Sequence, residues 1–428
     1  MPRKEYPWSV DNPPPLAAHS LAKHRILRRY VETYIRVLTA NPATDVFRLN
    51  LVDGFAGGSV YVDPRTNINY PGSPTILLDA VRVAEAATNV GRAKPLRVDA
   101  RFFFVDDDPT AIACLKAVLE KRETWTRETD NVNVIPGKFE ERLDDIVDRI
   151  ASGTGTAKRT IFILDQYGYT AAPPPLLRRI FERLPKAEVF LTLAVGWAAA
   201  YLGDLRTVAA KLGIAPDVLD RLADGGEDGP SLEEPSTRAT LMKLQVLLKD
   251  VFTTGIGSTY YTPFFIVSRE SNRCYWFLHM ANSSRANDVV KSLHWEVENH
   301  FDHFGGEGLG MLGYDPAKDP ELTGQPLLPF CFDDAARSRT RNALAKTLAA
   351  RIDDSFPNGV SLDDLYAHVC NETPADQAIL RQTVRDLCGE GELQKCGAKG
   401  ERRALSTPLR GNDVVRASRQ GRFSFPRR

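Results

Sequence analysis

The 428-residue sequence lacks any run of about 18 apolar residues, which excludes a helix able to cross a bilayer. Its start, MPRKEYPWSVDNPPP, lacks the apolar stretch that a secretory signal needs, so a cytoplasmic chain with no membrane partner is expected. No CxxC pair occurs among the six cysteines, which argues against a zinc ribbon or a disulfide framework and for reduced thiols. Net charge is also missing: 55 Lys and Arg balance 55 Asp and Glu, which speaks against coating nucleic acid through overall charge. Metal spacing is absent too. His294, Glu296, Glu298, His300, Asp302 and His303 crowd together, but without HxxxH or HxH spacing they read as a polar surface, and no metal site is expected. His279, between Leu278 and Met280, reads as a satisfied core or pocket histidine.

What is present is an alternation of two periods. AAHSLAKHRILRRYVETYIRVLTA carries Leu21, Ile26, Leu27, Tyr30, Val31, Tyr34, Ile35 and Leu38 at helical spacing, with Lys23, Arg25, Arg28 and Arg29 forming a basic exposed side. FRLNLVDGFAGG, RFFFVDDDP, NVNVIPGKFE, RTIFILDQYG and AEVFLTLAVG are apolar runs, most ending in an acidic or glycine turn before a helical period. Such alternation predicts an α/β fold with a mostly parallel, Rossmann-like sheet and ligands beyond the carboxyl ends of its strands. YYTPFFIVSRE and RCYWFLHMAN read as a late hairpin.

The expected organisation is a leader over residues 1–17, an α/β domain over 18–304 with an insertion at about 202–250, and a linker over 305–332. A winged-helix module of three helical periods and a basic hairpin follows over 333–410, then a basic tail over 411–428. The stretch from Lys395 to Arg428 holds Lys395, Lys399, Arg402, Arg403, Arg410, Arg416, Arg419, Arg422, Arg427 and Arg428, with Phe423 and Phe425. These suit phosphate neutralisation and base stacking, so DNA or RNA is an expected partner, with a protein-docking surface as the alternative.

Three strand ends carry the chemistry. Asp53 precedes Gly-Phe-Ala-Gly-Gly, where small residues admit a ligand close to the backbone. Asp106 ends FFFVD, the place where a carboxylate receives ribose hydroxyls, while Asp107 and Asp108 read better as partners of the next helix. Asp165, followed by Gln166 and Tyr167, pairs an acceptor for an exocyclic amine with an aromatic ring, the set a methyltransferase acting on a flipped base requires; the alternative is a strand terminus whose Asp caps the helix after Pro173-Pro174-Pro175.

In order and spacing, Lys23, His24, Ile26 and Leu27, then VDGFAGGSVY, PGSP at 71–74, FFFVDDDP, GKFE, DQYGY, HMANS and HWEVE resemble class I methyltransferases dependent on S-adenosylmethionine (SAM). Over residues 23–300 they are most similar to the bacterial three-Cys-motif partner family, and PGSP also resembles ribosomal-RNA adenine-N6 methyltransferases. The resemblance implies Asp53, Phe55, Gly57 and Tyr61 around the methionine and ribose of SAM, and Asp106 on the ribose. It further implies Lys138 and Phe139 at the adenine turn, Asp165, Gln166 and Tyr167 at the acceptor, and a partner that looks like a radical-SAM enzyme. Lys138 stands where such proteins carry an acid, and Gln166 where they carry proline. The expected function is methyl transfer to a nucleic-acid amine, with adenine N6 as one acceptor. The alternatives are a docking partner without catalysis, favoured by Lys138 and Gln166, and a divalent-metal nuclease built on Asp53, Asp106 and Asp165.

Overall fold

A computed structural model describes residues 8–122, 131–153, 158–166, 171–194, 249, 251–268, 273–296, 300–301, 307–309, 330–396, 401 and 408–418. Tyr167, the expected insertion at 202–250 apart from Lys249, and the basic residues beyond Ser418 lie outside these. The chain divides into two compact units, Met1–His303 and Phe304–Arg428.

The first unit is built on strands whose central residues are apolar on both faces, which only a sheet covered on both sides can satisfy. In β1 (Val46–Asp53), Leu49, Leu51 and Val52 are buried. β4 (Arg97–Asp106) buries Phe102 to Val105, and β6 (Thr160–Leu164) is buried throughout. With β5 (Val132–Pro136), β7 (Ala187–Ala194), β8 (Tyr260–Ser268) and β9 (Arg273–Ala281) they form one sheet in the order β5-β4-β1-β6-β7-β9-β8. Every pairing from β5 through β7 is parallel, and β9 runs antiparallel to both β7 and β8. Counting sheet strands along the chain, this is the order 3-2-1-4-5-7-6 with the seventh reversed, the class I methyltransferase arrangement. The order turns back between β1 and β6, so the carboxyl ends there border the crevice in which such sheets bind ligands.

Helices α1 (Ala18–Leu38), α2 (Ser73–Asn89) and α6 (Ser284–Glu296) pack together, and α4 (Phe139–Ala151) packs on α5 (Pro174–Arg183). α3 (Pro109–Glu120) begins at Asp108, whose side chain caps it by accepting the Thr110 N–H at 2.8 Å. A short hairpin, β2 (Val60–Val62) and β3 (Asn69–Pro71), stands between β1 and α2.

In α1, Arg25, Arg28 and Arg29 are exposed as the pattern predicts, but Lys23 is not. It is buried at 5% exposure, because it shares the 23, 27, 30, 34 register with Leu27, Tyr30 and Tyr34 and so faces inward. Lower on the same face, Tyr30 donates a hydrogen bond to Glu188 near the start of β7, and His279 Nε2 lies 3.1 Å from Glu188 Oε2. His294 of α6 is fully buried nearby, so desolvation and the neighbouring His279 hold its pKa well below the usual histidine value.

The second unit stacks α7 (Asp334–Ser355), α8 (Leu362–Val369) and α9 (Gln377–Gly389), each capped at its start by a side chain, Asp333, Ser361 and Asp376 in turn. A small antiparallel sheet follows, in the order β10 (Val360–Ser361), β12 (Val414–Ala417), β11 (Leu393–Cys396). Leu344, Leu348, Leu365, Tyr366, Leu380 and Val384 form its core. This is a winged helix, and the central strand of its sheet, Val414–Ala417, lies within the stretch that reads as a tail from sequence.

His294 gives a measurable pH signature. The folded state keeps it neutral while the unfolded chain takes up a proton below about pH 6.5, so stability from His294 is present above that value and lost as pH falls. Asp53, described below, works in the opposite sense over the same window, so the effect is read as a difference. The stability advantage of wild type over His294→Phe, measured by urea unfolding, shrinks between pH 7 and pH 5. A constant difference would mean that His294 is protonated in the fold.

Candidate active site

The loop after β1 is tied to the strand tips on either side of it. Gly54 N–H donates to Ile163 O of β6 at 2.9 Å, and Ala56 N–H to Val105 O of β4 at 2.9 Å. Gly57, at φ +58°, donates its N–H to Asp106 Oδ2 at 2.8 Å. A Cβ on Gly54 would lie 2.7 Å from Leu164 and 3.0 Å from Phe139, so that glycine is required by packing. Ser59 holds a left-handed φ of +62°, stabilised by the PGSP segment: Gly72 N–H bonds Ser59 O at 2.8 Å, and Thr75 N–H bonds Ser59 Oγ at 3.1 Å. The glycine loop and PGSP, separate motifs in the sequence, are thus one hydrogen-bonded structure.

Three carboxylates end three adjacent strands, and each has a different environment. Asp106 is 5% exposed and accepts N–H groups on both oxygens, from Gly57 and, at 2.9 Å, from Asp108. Asp165 is chelated by Lys23, whose Nζ lies 2.5 and 2.6 Å from its two oxygens. Burial pushes the Asp165 pKa up, but the Lys23 ammonium and its hydrogen bonds outweigh this and hold it below the usual carboxylate value. Asp53 has no such cation. It is fully buried, its Oδ1 accepts the Phe55 N–H at 3.2 Å, and its Oδ2 has no hydrogen-bond partner among the described residues. Burial pushes its pKa up to about 7, against the pull of the nearby Ser73 hydroxyl and the Phe55 N–H, with Asp165 and Asp106 adding to the rise.

Beyond the tips of β4 and β5 lies a cavity of about 290 Å³ lined by Asp106, Asp107, Pro109, Ile112, Ala113, Lys116 and Pro136. Gly137 closes this side at φ +125°, donating its N–H to Asp106 O at 2.9 Å. Of the residues assigned to the adenine turn, Lys138 is exposed at the start of α4, and Phe139 is 2% exposed with its ring against Gly54 and Phe55. Phe139 therefore supports the glycine loop from beneath. Phe55 and Tyr61 are half-buried. Gln166 is 3% exposed and directs its Oε1 to the N–H groups of Ala171 and Ala172, both at 2.9 Å. It thereby joins the end of β6 to the backbone ahead of α5.

Lys23 is the site residue that the sequence pattern concealed; its signal was a lysine in the apolar register of α1. Among the described residues no group of three His, Cys, Asp or Glu is placed to hold a metal ion. No helix among them is long and apolar enough to cross a membrane. In the second unit Lys395, read as a phosphate ligand, is instead buried 3.2 Å from Asp413 and donates to Pro408 O at 3.1 Å, while Arg410 and Arg416 are exposed.

Residues 313–400 match the family described as GMT-like wHTH domain, a winged helix-turn-helix. A search of curated proteins finds no match. Among solved structures the chain is similar to a Legionella pneumophila protein of the family model DUF519, at 12% identity and TM-score 0.36 over 63% of this chain and 90% of that one. It is also similar to a protein titled as an rRNA methylase from Clostridium thermocellum, at 12% identity and TM-score 0.28, covering 61% and 97%. A third is titled as an S-adenosyl-L-methionine-dependent methyltransferase from Methanococcus maripaludis, at 8% identity and TM-score 0.22, covering 62% and 90%.

The Lys23–Asp165 pair makes a testable demand. Lys23→Met leaves a carboxylate that is largely buried without its cation and lowers stability by about 2–3 kcal/mol, allowing for the part of Asp165 that water reaches. Adding Asp165→Asn recovers a large part of that loss, because no charge remains to be stranded. Additive losses in urea unfolding would show that the two residues do not act as a pair.

Proposed function

We propose that the first unit is a SAM-dependent methyltransferase acting on an amine of nucleic acid, with adenine N6 as one acceptor. The observation that carries the reading is Asp53: a fully buried carboxyl with an orphan oxygen, at the tip of the central strand of a 3-2-1-4-5-7-6 sheet. A buried acceptor left unpaired costs about 1–3 kcal/mol, and a cationic donor such as the ammonium of a bound amino acid would relieve it. Asp106 suits the ribose, since a carboxylate at a strand tip can accept hydrogen bonds from vicinal hydroxyls. The cavity beside it is close to the lower size of small-ligand sites, about 300 Å³, and suits the adenine. Bound SAM would supply a methyl group on an already electrophilic sulfonium.

The chain's own contribution is orientation. Lys23 keeps Asp165 ionised and fixed in direction, so that it can accept a hydrogen bond from the acceptor N–H. Gln166, next to Asp165, is tied to the Ala171 and Ala172 N–H groups ahead of α5. A nuclease working through a divalent ion fits less well, because Asp165 is already bound by a cation and Asp106 by two N–H groups. The winged helix, through its exposed arginines and the basic wing and tail, would hold the nucleic acid. A three-Cys-motif protein resembling radical-SAM enzymes is the proposed protein partner, from the resemblance of residues 23–300.

Calorimetry with SAM tests the cofactor and its coupling to protons. A cation beside Asp53 favours the ionised carboxylate, so binding releases a proton near pH 7 and tightens as pH rises from 6 to 8. Asp53→Asn loses this pH dependence, and Asp106→Ala weakens SAM about tenfold by removing hydrogen bonds to a charged group. Absence of SAM binding to folded wild type at millimolar ligand would sink the cofactor reading.

Acceptor alignment is tested separately. Asp165→Ala abolishes methyl transfer to RNA or DNA while leaving SAM affinity within about twofold, because the interaction is made only as the acceptor reacts. For the winged helix, nucleic-acid affinity of the full chain falls steeply with salt. Joint replacement of Lys399, Arg402 and Arg403 by alanine reduces the logarithmic slope by up to about three. A flat salt response would point to protein docking instead.

A further inference from the structure

The N-terminal segment adds to the site a ring that the cofactor reading does not use. Leu16 N–H bonds Val62 O at 2.8 Å and Val62 N–H bonds Pro14 O at 2.9 Å, so the segment runs alongside β2 and is held to the hairpin. It lays the Trp8 indole on the glycine loop. A Cβ on Gly57 would lie 2.8 Å from Trp8 Cζ2, and one on Gly58 2.4 Å from Trp8 Cε3. The glycines at 57 and 58 therefore make room for an indole. Trp8 meets Tyr61 edge-on at 5.3 Å between centroids, Tyr61 lies 6.1 Å from His24, and His24 is parallel to Tyr70 at 6.1 Å. His24 follows Lys23, which holds Asp165. A chain of rings thus leads from the glycine loop to the acceptor carboxylate, and Trp8 and Tyr61 are both half-exposed.

We propose that Trp8, with Tyr61, is the stacking platform for the methyl acceptor, and that the acceptor is a planar, uncharged nucleobase; this rests on the methyltransferase reading above. The adenine of SAM has its own cavity at Asp106, on the side of β1 away from Asp165, so the Trp8 ring, which no part of the cofactor reading uses, remains for the second substrate. A flat heterocycle gains from aromatic faces whatever its hydrogen-bonding edge. A protonated lysine side chain as acceptor would meet the Lys23 ammonium at the same carboxylate and be repelled by it.

The test titrates single-stranded oligo(rA) and oligo(dA) onto the full-length protein and isolates Trp8 emission by difference from Trp8→Phe. Saturable quenching of Trp8 is expected. Trp8→Leu weakens oligonucleotide binding about tenfold, Trp8→Phe changes it by less than about twofold, and SAM affinity is the same in all three. If circular dichroism shows Trp8→Leu to be misfolded, Tyr61→Leu carries the same expectation for oligonucleotide binding, with SAM affinity compared only among the Trp8 variants. Unchanged oligonucleotide affinity in the leucine variants, no oligonucleotide binding to wild type, or equal quenching of Trp8 by SAM alone would overturn the proposal. Failure of wild type to bind SAM while the quenching by bases persists would remove the methyltransferase reading and leave the platform standing.

Discussion

Three carboxylates at the ends of three neighbouring strands repel one another, two of them buried and the third half-buried, and the surrounding structure is arranged around that electrostatic constraint. Asp106 is satisfied by backbone N–H groups, which requires the glycine loop to turn back over the tip of β4 and Gly57 to adopt a positive φ. Asp165 is satisfied by a cation, which requires α1 to deliver Lys23 from its buried face. Asp53, between them in the sheet, has one backbone N–H, the nearby Ser73 hydroxyl and an oxygen unpartnered among the described residues, and burial raises its pKa to about 7. The residue least compensated by the protein is the one best suited to a cationic ligand.

The same constraint gives the supporting residues their roles. Phe139 and Leu164 fill the space beneath Gly54, leaving no room for a side chain there. Ser59 is held in a strained conformation by Gly72 and Thr75, which joins PGSP to the glycine loop. Gln166 ties the end of β6 to the backbone ahead of α5 with two hydrogen bonds. At the other end of the sheet Tyr30, Glu188 and His279 form a buried polar contact between α1, β7 and β9, so α1 is tied at two points of its inward face, Lys23 and Tyr30.

The winged-helix unit applies a similar economy to its basic residues. Lys395 is spent on a buried pair with Asp413, inside the small sheet that β12 completes, so its charge serves folding. Arg410 and Arg416 remain on the surface. Counting basic residues along the chain therefore overstates the charge available to a phosphate backbone, and burial decides which of them count.

The alternation of apolar runs with helical periods was enough to establish the α/β class, the late hairpin and the winged helix, because periodicity reports burial of whole faces. Asp53, Asp106 and Asp165 were legible for a related reason: a carboxylate at the end of an apolar strand has few places to go. The capping role of Asp108 was equally local. What the sequence could not supply was the identity of long-range partners. That Lys23 meets a residue 142 positions away, that PGSP clamps Ser59, and that Trp8 lies on Gly57 and Gly58 depend on the sheet bringing distant segments together. Local spacing places a side chain on a face of its own element, and only the packing of that element against the rest of the chain decides what the face meets.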